Sequence, residues 1–108
     1  MTTIDPDQNV VTLVNVFTVD PDRQAALVDA LITATESVMR DVPGFVSANI
    51  HRSLDGERVV NYAQWESVEA FEAMRQDPSA AEHIEAIGAD VDFDAHLYEV
   101  VSTHEATD

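Results

Sequence analysis

The sequence predicts a single α+β domain in which a four-stranded antiparallel sheet carries helices on one face. Strand-like and helix-like segments follow one another in the order β-α-β-β-α-β. An Asp-Gly pair at 55–56 joins the second and third strands as a hairpin. The chain has 108 residues, of which 45% are hydrophobic, a length and composition typical of one domain with one core.

The first predicted strand and helix follow a short leader. Residues 1–9 contain Pro6 and several polar residues, so we expect them to be loose and flexible. Residues 10–19, VVTLVNVFTV, are rich in β-branched and aromatic side chains, which is typical of a strand. Asp20 and Pro21 then suit the N-cap and first position of a helix over 21–40. That helix has apolar residues at helical spacing: Leu27, Leu31, Ala34 and Val38.

The second and third strands are predicted to form a hairpin. Pro43-Gly44 ends the first helix, and FVSANIHRS over 45–53 has the composition of a strand. Asp55 and Gly56 tolerate the positive φ angles of a tight turn. RVVNYAQWE over 58–66 then returns as the third strand.

The last third of the chain is predicted to contain two helices and a strand. Ser67 suits the N-cap of a helix over 68–75. Asp77-Pro78 breaks that helix and begins a shorter one over 79–87. FDAHLYEVVS, over 93–102, is the fourth strand. We therefore expect one domain over 10–103 and a C-terminal tail over 104–108.

This order of elements is that of the ferredoxin-like split βαβ fold, in which helices cover one face of the sheet. The opposite face would carry Val60, Tyr62 and Gln64 of the third strand. A half-apolar open face on a small domain usually finds a partner. We expect a homodimer in which two such sheets pack face to face as a dimeric α/β barrel.

Charge and composition exclude several kinds of partner. The formal net charge is −16, from 21 acidic residues against five arginines and no lysine. Nucleic acid and anionic membranes are therefore not expected as partners. The absence of cysteine excludes disulfides, thiolate metal sites and cysteine nucleophiles. With a polar, acidic start and no long apolar run, the chain is expected to be a soluble cytoplasmic protein.

The third strand has an unusual pattern. Asn61, Ala63 and Trp65 share one face, while the residues between them point to the other. An amide and an indole on a face that should be packed against helices indicate either a buried polar pair or the wall of a pocket. A buried amide without a partner costs about 1–3 kcal/mol, which favours the pocket.

The segment PGFVSANIHRSLDGERVVNYAQWESVEAFEAM, residues 43–74, closely resembles the antibiotic biosynthesis monooxygenase domain family. The shared features are the Pro-Gly-Phe entry to the second strand, the Asp-Gly hairpin, and Trp-Glu-Ser followed by a phenylalanine. Within this family the chain is most similar to cofactor-independent enzymes that oxidise anthrone-type rings of aromatic polyketides to quinones with O2. The resemblance therefore implies a small aromatic substrate and no cofactor.

The resemblance also implies the site residues. Asn15, Asn61 and Trp65 fall at positions that matter in those enzymes, and His51 falls where some have a pocket histidine. The two amides would stabilise the oxygen of an enolate, Trp65 would stack on the rings, and His51 or His83 would move a proton. Further substrate contacts are implied at Phe71, Met74 and His83. The chain departs from some relatives that have a tyrosine in place of Phe71 or an arginine in place of Ile84.

Two alternatives stay open at this stage. Heme-degrading relatives use a strand-one asparagine and a helix histidine, near Asn15 and His83, although Met74 stands where they have a bulky tryptophan. The second alternative is a binding module without catalysis. No metal site is expected, because the four histidines are scattered and form no pair at ligand spacing.

Overall fold

The predicted ferredoxin-like fold is confirmed. The computed structural model describes residues 2–88 and 91–107. Within these ranges the sheet has the order β2-β3-β1-β4, and every neighbouring pair is antiparallel. The strands are β1 (Val11–Thr18), β2 (Phe45–Arg52), β3 (Arg58–Trp65) and β4 (Asp92–Tyr98), and the helices are α1 (Gln24–Ser37), α2 (Val68–Gln76) and α3 (Pro78–Gly88). None of the helices in the described part of the chain is long and apolar enough to span a membrane.

The core lies between the sheet and the three helices. Alternate residues of β1 and β3 point to this side, as the period of two in a strand requires. They form two adjoining apolar clusters with the helices. One contains Leu13, Ala63, Trp65, Met74 and Ala80, and the other contains Phe17, Val19, Leu27, Leu31 and Val59.

The other face of the sheet is partly covered by the chain's own N-terminal segment. The Gln64 side chain donates a hydrogen bond to the Thr3 carbonyl over 2.7 Å. The Thr2 hydroxyl donates to Ser47 and accepts from Asn49. Gln64 is consequently only 1% exposed without any second subunit. The expected loose leader therefore contacts the sheet at Thr2 and Thr3.

The boundaries of two elements differ from those the sequence predicts. The helix expected over 21–40 is a 14-residue α-helix, Gln24–Ser37, flanked by short 3₁₀ turns at Pro21–Arg23 and Met39–Asp41. Asp20 makes no side-chain cap hydrogen bond. The last strand ends at Tyr98 rather than at 102, because its pairing with β1 ends at the Thr12–Tyr98 pair.

The predicted caps and turn of the second half are present. Ser67 accepts a hydrogen bond from the Ala70 N–H over 3.0 Å and begins α2. In the β2–β3 hairpin, Gly56 has a φ of +82°. The Asp55 carboxylate accepts hydrogen bonds from the Ser53 hydroxyl and from the Glu57 N–H. These two bonds, that of Ser53 foremost, hold the pKa of Asp55 below its ordinary value.

Gly44 holds the turn before β2 against the start of α2. Its φ is +87°, and a Cβ there would lie well inside van der Waals contact of the Ala70 Cβ. We expect Gly44→Ala to lower the free energy of unfolding by about 3 kcal/mol, because it adds an overpacking cost to backbone strain. Urea denaturation followed by circular dichroism measures this change.

Gly56→Ala is the matched control for this prediction. Gly56 has a similar positive φ, but a Cβ there would lie 3.3 Å from the Pro21 Cβ, which is a much milder contact. We expect Gly56→Ala to lower the free energy of unfolding by about 1 kcal/mol, from backbone strain alone. Equal losses in the two variants would show that the approach of Gly44 to α2 contributes nothing.

Candidate active site

A cavity of about 310 Å³ lies between the sheet and the helices. Its size is within the range of pockets that bind small molecules. The walls are mainly apolar. Met39, Phe71, Met74 and Ile84 line it from the helix side, and Phe45, Phe93 and Ala95 are among the sheet residues. An apolar ligand suits such walls.

Two asparagines lie side by side on the sheet wall of this cavity. Asn15 of β1 and Asn61 of β3 are direct cross-strand partners, so their side chains emerge next to each other on the helix face. The Oδ1 atom of each is buried and has no hydrogen-bond partner among the described residues. An asparagine amide has both an acceptor and donors, and a half-turn of the amide exchanges them. The pair can therefore donate to, or accept from, a ligand.

Trp65 forms the end of the same wall. It is 2% exposed, and its Nε1–H also lacks a partner within the described ranges. Its ring packs edge-on against Phe45 and Phe71, with centroid distances of 5.5 Å and 6.0 Å. The aromatic contacts fix the indole in place and leave its N–H unpaired.

Three unpaired buried polar groups in one apolar cavity are costly to fold. Each buried group without a hydrogen bond costs about 1–3 kcal/mol. They belong to Asn15, Asn61 and Trp65, and all three side chains line the cavity. A ligand with complementary polar atoms would remove this cost, so the arrangement is that of a binding site more than of a packed core.

The structure brings five of the seven predicted site residues together. Asn15, Asn61, Trp65, Phe71 and Met74 all line the cavity. Neighbouring strands and the first helix after the hairpin position them, in keeping with the strand and helix periods of the sequence. Their roles in chemistry stay predictions.

The structure does not bring His51 or His83 to the cavity, unlike the sequence expectation. His51 is paired with Val60, which puts it on the outer face of the sheet, where its Nδ1 lies 3.2 Å from the Asn49 carbonyl oxygen. His83 directly precedes Ile84 on α3, so the two side chains point about 100° apart around the helix axis, and Ile84 is the one that lines the cavity. Its Nδ1 lies 2.9 Å from the Ser79 carbonyl oxygen.

The heme alternative does not fit these positions. A heme iron held in this cavity would need a histidine or similar ligand on its wall. The described residues that line it include no histidine, and the half-buried His83 lies on another face of α3. The described part of the chain also has no group of three or more residues able to hold a metal ion.

Sequence reasoning missed Arg75. It lines the cavity from the last turn of α2, and its guanidinium carbon lies 6.0 Å from the centre of the Phe71 ring. The four-residue spacing from Phe71 could have indicated Arg75, since residues four apart on a helix share a face and Phe71 was already a candidate. Among the described lining residues, Arg75 is the only one with an ionisable side chain.

The chain resembles known proteins in its sequence. Residues 10–86 match the model of a family described as antibiotic biosynthesis monooxygenase. Tetracenomycin-F1 monooxygenase of Streptomyces glaucescens is 52% identical to the chain over 85 residues, which covers 79% of this chain and 76% of that protein.

Solved structures share the fold over nearly the whole chain. The monooxygenase from the gene ActVA-Orf6 of Streptomyces coelicolor, solved in complex with nanaomycin D, matches with a TM-score of 0.79 and 33% identity. The match covers 95% of this chain and 96% of that one. SnoaB, a cofactor-independent oxygenase of Streptomyces nogalater, matches with a TM-score of 0.73 and 27% identity, over 89% of this chain and 97% of that one.

Proposed function

The chain belongs to the antibiotic biosynthesis monooxygenase family, and we propose that it is a cofactor-independent monooxygenase of aromatic polyketides. It would oxidise an anthrone-type ring carbon to a quinone with O2. The observation that carries this proposal is the apolar cavity with three unpaired polar groups on its wall. The likeness to tetracenomycin-F1 monooxygenase and to SnoaB supports the substrate class and the absence of a cofactor.

The reaction needs an electron source, because O2 is a triplet and reacts slowly with closed-shell molecules. An anthrone can supply the electron itself once its methylene carbon loses a proton and becomes an enolate. One electron passes from the enolate to O2, and the two radicals combine into a peroxide at that carbon. The peroxide takes up a proton and loses water. In total the CH2 group and O2 give a C=O group and one molecule of water.

The cavity residues have distinct tasks in this scheme. The amide groups of Asn15 and Asn61 donate hydrogen bonds to the enolate oxygen, where negative charge develops. The face of the ring system lies along Trp65 and Phe71, and the Trp65 N–H is available to the peroxide oxygen. The apolar walls exclude bulk water and so strengthen these interactions.

The proton from the methylene carbon goes to a water molecule enclosed with the substrate beside that carbon. Apart from Arg75, the described lining residues carry no ionisable group, and an arginine stays protonated. Stabilisation of the enolate therefore makes the substrate more acidic without a histidine or carboxylate in contact with it. Under this proposal the reaction needs neither His51 nor His83, both of which lie outside the cavity.

The homodimer is part of the proposal. The outer face of the sheet keeps Val60 and Tyr62 half-buried and Tyr98 51% exposed, beside the polar area that Thr2 and Thr3 cover. A second sheet packed on this apolar part would bury it. Light scattering after size exclusion should give twice the mass of the chain, and a monomer at micromolar concentration would contradict it.

The function is tested by following quinone absorbance in air with 1,8-dihydroxyanthrone. The protein is first dialysed against a chelator, and no flavin or heme is added. We expect a rate that is proportional to protein concentration and to dissolved O2, above the rate in buffer. A rate that appears only after flavin, heme or metal is added would contradict the proposal.

A further inference from the structure

Arg75 extends the aromatic wall of the cavity. The Phe71 ring lies 6.0 Å from the Trp65 ring, and the Arg75 guanidinium carbon lies 6.0 Å from the centre of Phe71. Trp65 is buried, whereas the Arg75 side chain is 59% exposed. The three side chains therefore lead from the closed end of the cavity to its mouth, and the cation stands at the open end.

The charge of Arg75 is only weakly satisfied within the chain. Its Nη1 lies 3.4 Å from Glu72 Oε2, and both side chains are about half exposed or more. Exposed pairs of this kind contribute little to stability. A guanidinium has five N–H donors, so others remain for a ligand.

The charges around Arg75 indicate which kind of ligand group it would bind. The whole chain has a net charge of −16, which repels an anionic ligand at long range. At the reacting end of the cavity the polar groups are neutral: two amides and an indole. An anionic substituent would thus be favoured at one place only along the wall, beside the guanidinium of Arg75.

We propose that Arg75 binds an ionised oxygen of the substrate, a phenolate or a carboxylate on the ring farthest from the reacting carbon. This rests on the proposed function. The substituent would orient the polycycle so that its methylene carbon reaches the asparagine pair. Arg75 is then a specificity-determining residue that acts on binding and orientation, while the chemical step takes place beyond it.

The test measures binding separately from turnover. Trp65 is the single tryptophan of the chain, so quenching of its fluorescence reports occupation of the cavity. The probes are anthraquinone-2-carboxylate and its neutral isostere, anthraquinone-2-carboxamide. A second pair, 2-hydroxyanthraquinone at a pH where it is ionised and 2-methoxyanthraquinone, distinguishes a phenolate from a carboxylate. The variants are Arg75→Gln, Arg75→Lys and the control Arg52→Gln, which changes an exposed arginine at the end of β2.

We expect Arg75→Gln to weaken binding of the anionic probes about fivefold and to leave the neutral probes within about twofold. Arg75→Lys should restore part of the loss, and Arg52→Gln should behave like the original chain. With a carboxylated anthrone, Arg75→Gln should raise KM and leave kcat nearly unchanged.

Equal weakening of charged and neutral probes would overturn the proposal, because Arg75 would then act through packing alone. Failure of every probe to quench Trp65 would overturn it as well. The selective loss with the anionic probes, together with no oxidation of any anthrone, would support the role of Arg75 in binding and reject the proposed oxygenase activity.

Discussion

Replacing Asn61 with alanine is expected to lower kcat for anthrone oxidation about 100-fold, since removal of one donor from a site that stabilises an oxyanion has an effect of this size. Asn61 is opposite Asn15 in the β1–β3 register, and both side chains face the cavity. Loss of one amide leaves the enolate with half of its proposed donors. The rate of quinone formation at saturating substrate measures the effect.

The stability of the Asn61→Ala variant should not fall together with its activity. Asn61 Oδ1 is buried without a partner in the described part of the chain, so alanine removes an unsatisfied polar atom. We expect the free energy of unfolding to stay the same or to rise by about 1 kcal/mol. A residue kept for packing would lose stability on truncation, whereas one kept for chemistry would lose activity alone.

Asn49→Ala is the matched control for Asn61→Ala. Asn49 lies on β2, points to the outer face, and donates to the Tyr62 carbonyl oxygen over 3.1 Å. Its truncation should cost some stability and leave kcat unchanged. If Asn61→Ala keeps full activity, or if both variants lose activity equally, the asparagine pair has no part in the chemistry.

Replacing Trp65 with alanine is expected to lower the free energy of unfolding by about 4 kcal/mol. Trp65 is 2% exposed and contacts the rings of Phe45 and Phe71 at the junction of sheet and α2. Domains of this kind have a total stability of about 5–15 kcal/mol, so roughly a quarter to four fifths of it would be lost. Urea denaturation followed by circular dichroism gives the value.

Trp65→Phe separates the ring from its N–H group. The smaller ring keeps most of the apolar contact, so the stability loss should be about 1–2 kcal/mol. The unpaired Nε1–H disappears, and kcat should fall about tenfold if that group contacts the peroxide. A variant with unchanged kcat would show that Trp65 serves as a packing residue and a stacking surface only.

The fold was predictable because local signals agreed with one another. Strand periodicity, the Asp55-Gly56 turn and the Ser67 cap all favoured the same order of elements, and the structure has that order. The asparagine and tryptophan on β3 were also predictable as wall residues. In a strand that is covered on one face, a shift of one residue would reverse every side chain, so the pattern determines the face.

Other features depend on tertiary position, which periodicity does not encode. His51 is three positions along β2 from the cavity residue Ala48, and this odd number of steps places it on the outer face. The contact of Thr3 with Gln64 joins residues 61 positions apart, so no local pattern indicates it. Arg75 had the helix spacing of a wall residue, but an exposed arginine in a last helical turn is also common as a dipole partner.

The most direct test of the central claim is a single turnover in which the substrate is the only electron source. Chelator-treated protein and 1,8-dihydroxyanthrone are mixed without O2, and the absorbance of the enolate is recorded before O2 is admitted. We expect enolate to accumulate in the original chain, to decay when O2 enters, and to yield one quinone per enolate. Absence of enolate under argon, with quinone formed only when a redox cofactor is supplied, would contradict cofactor-free oxidation in this cavity.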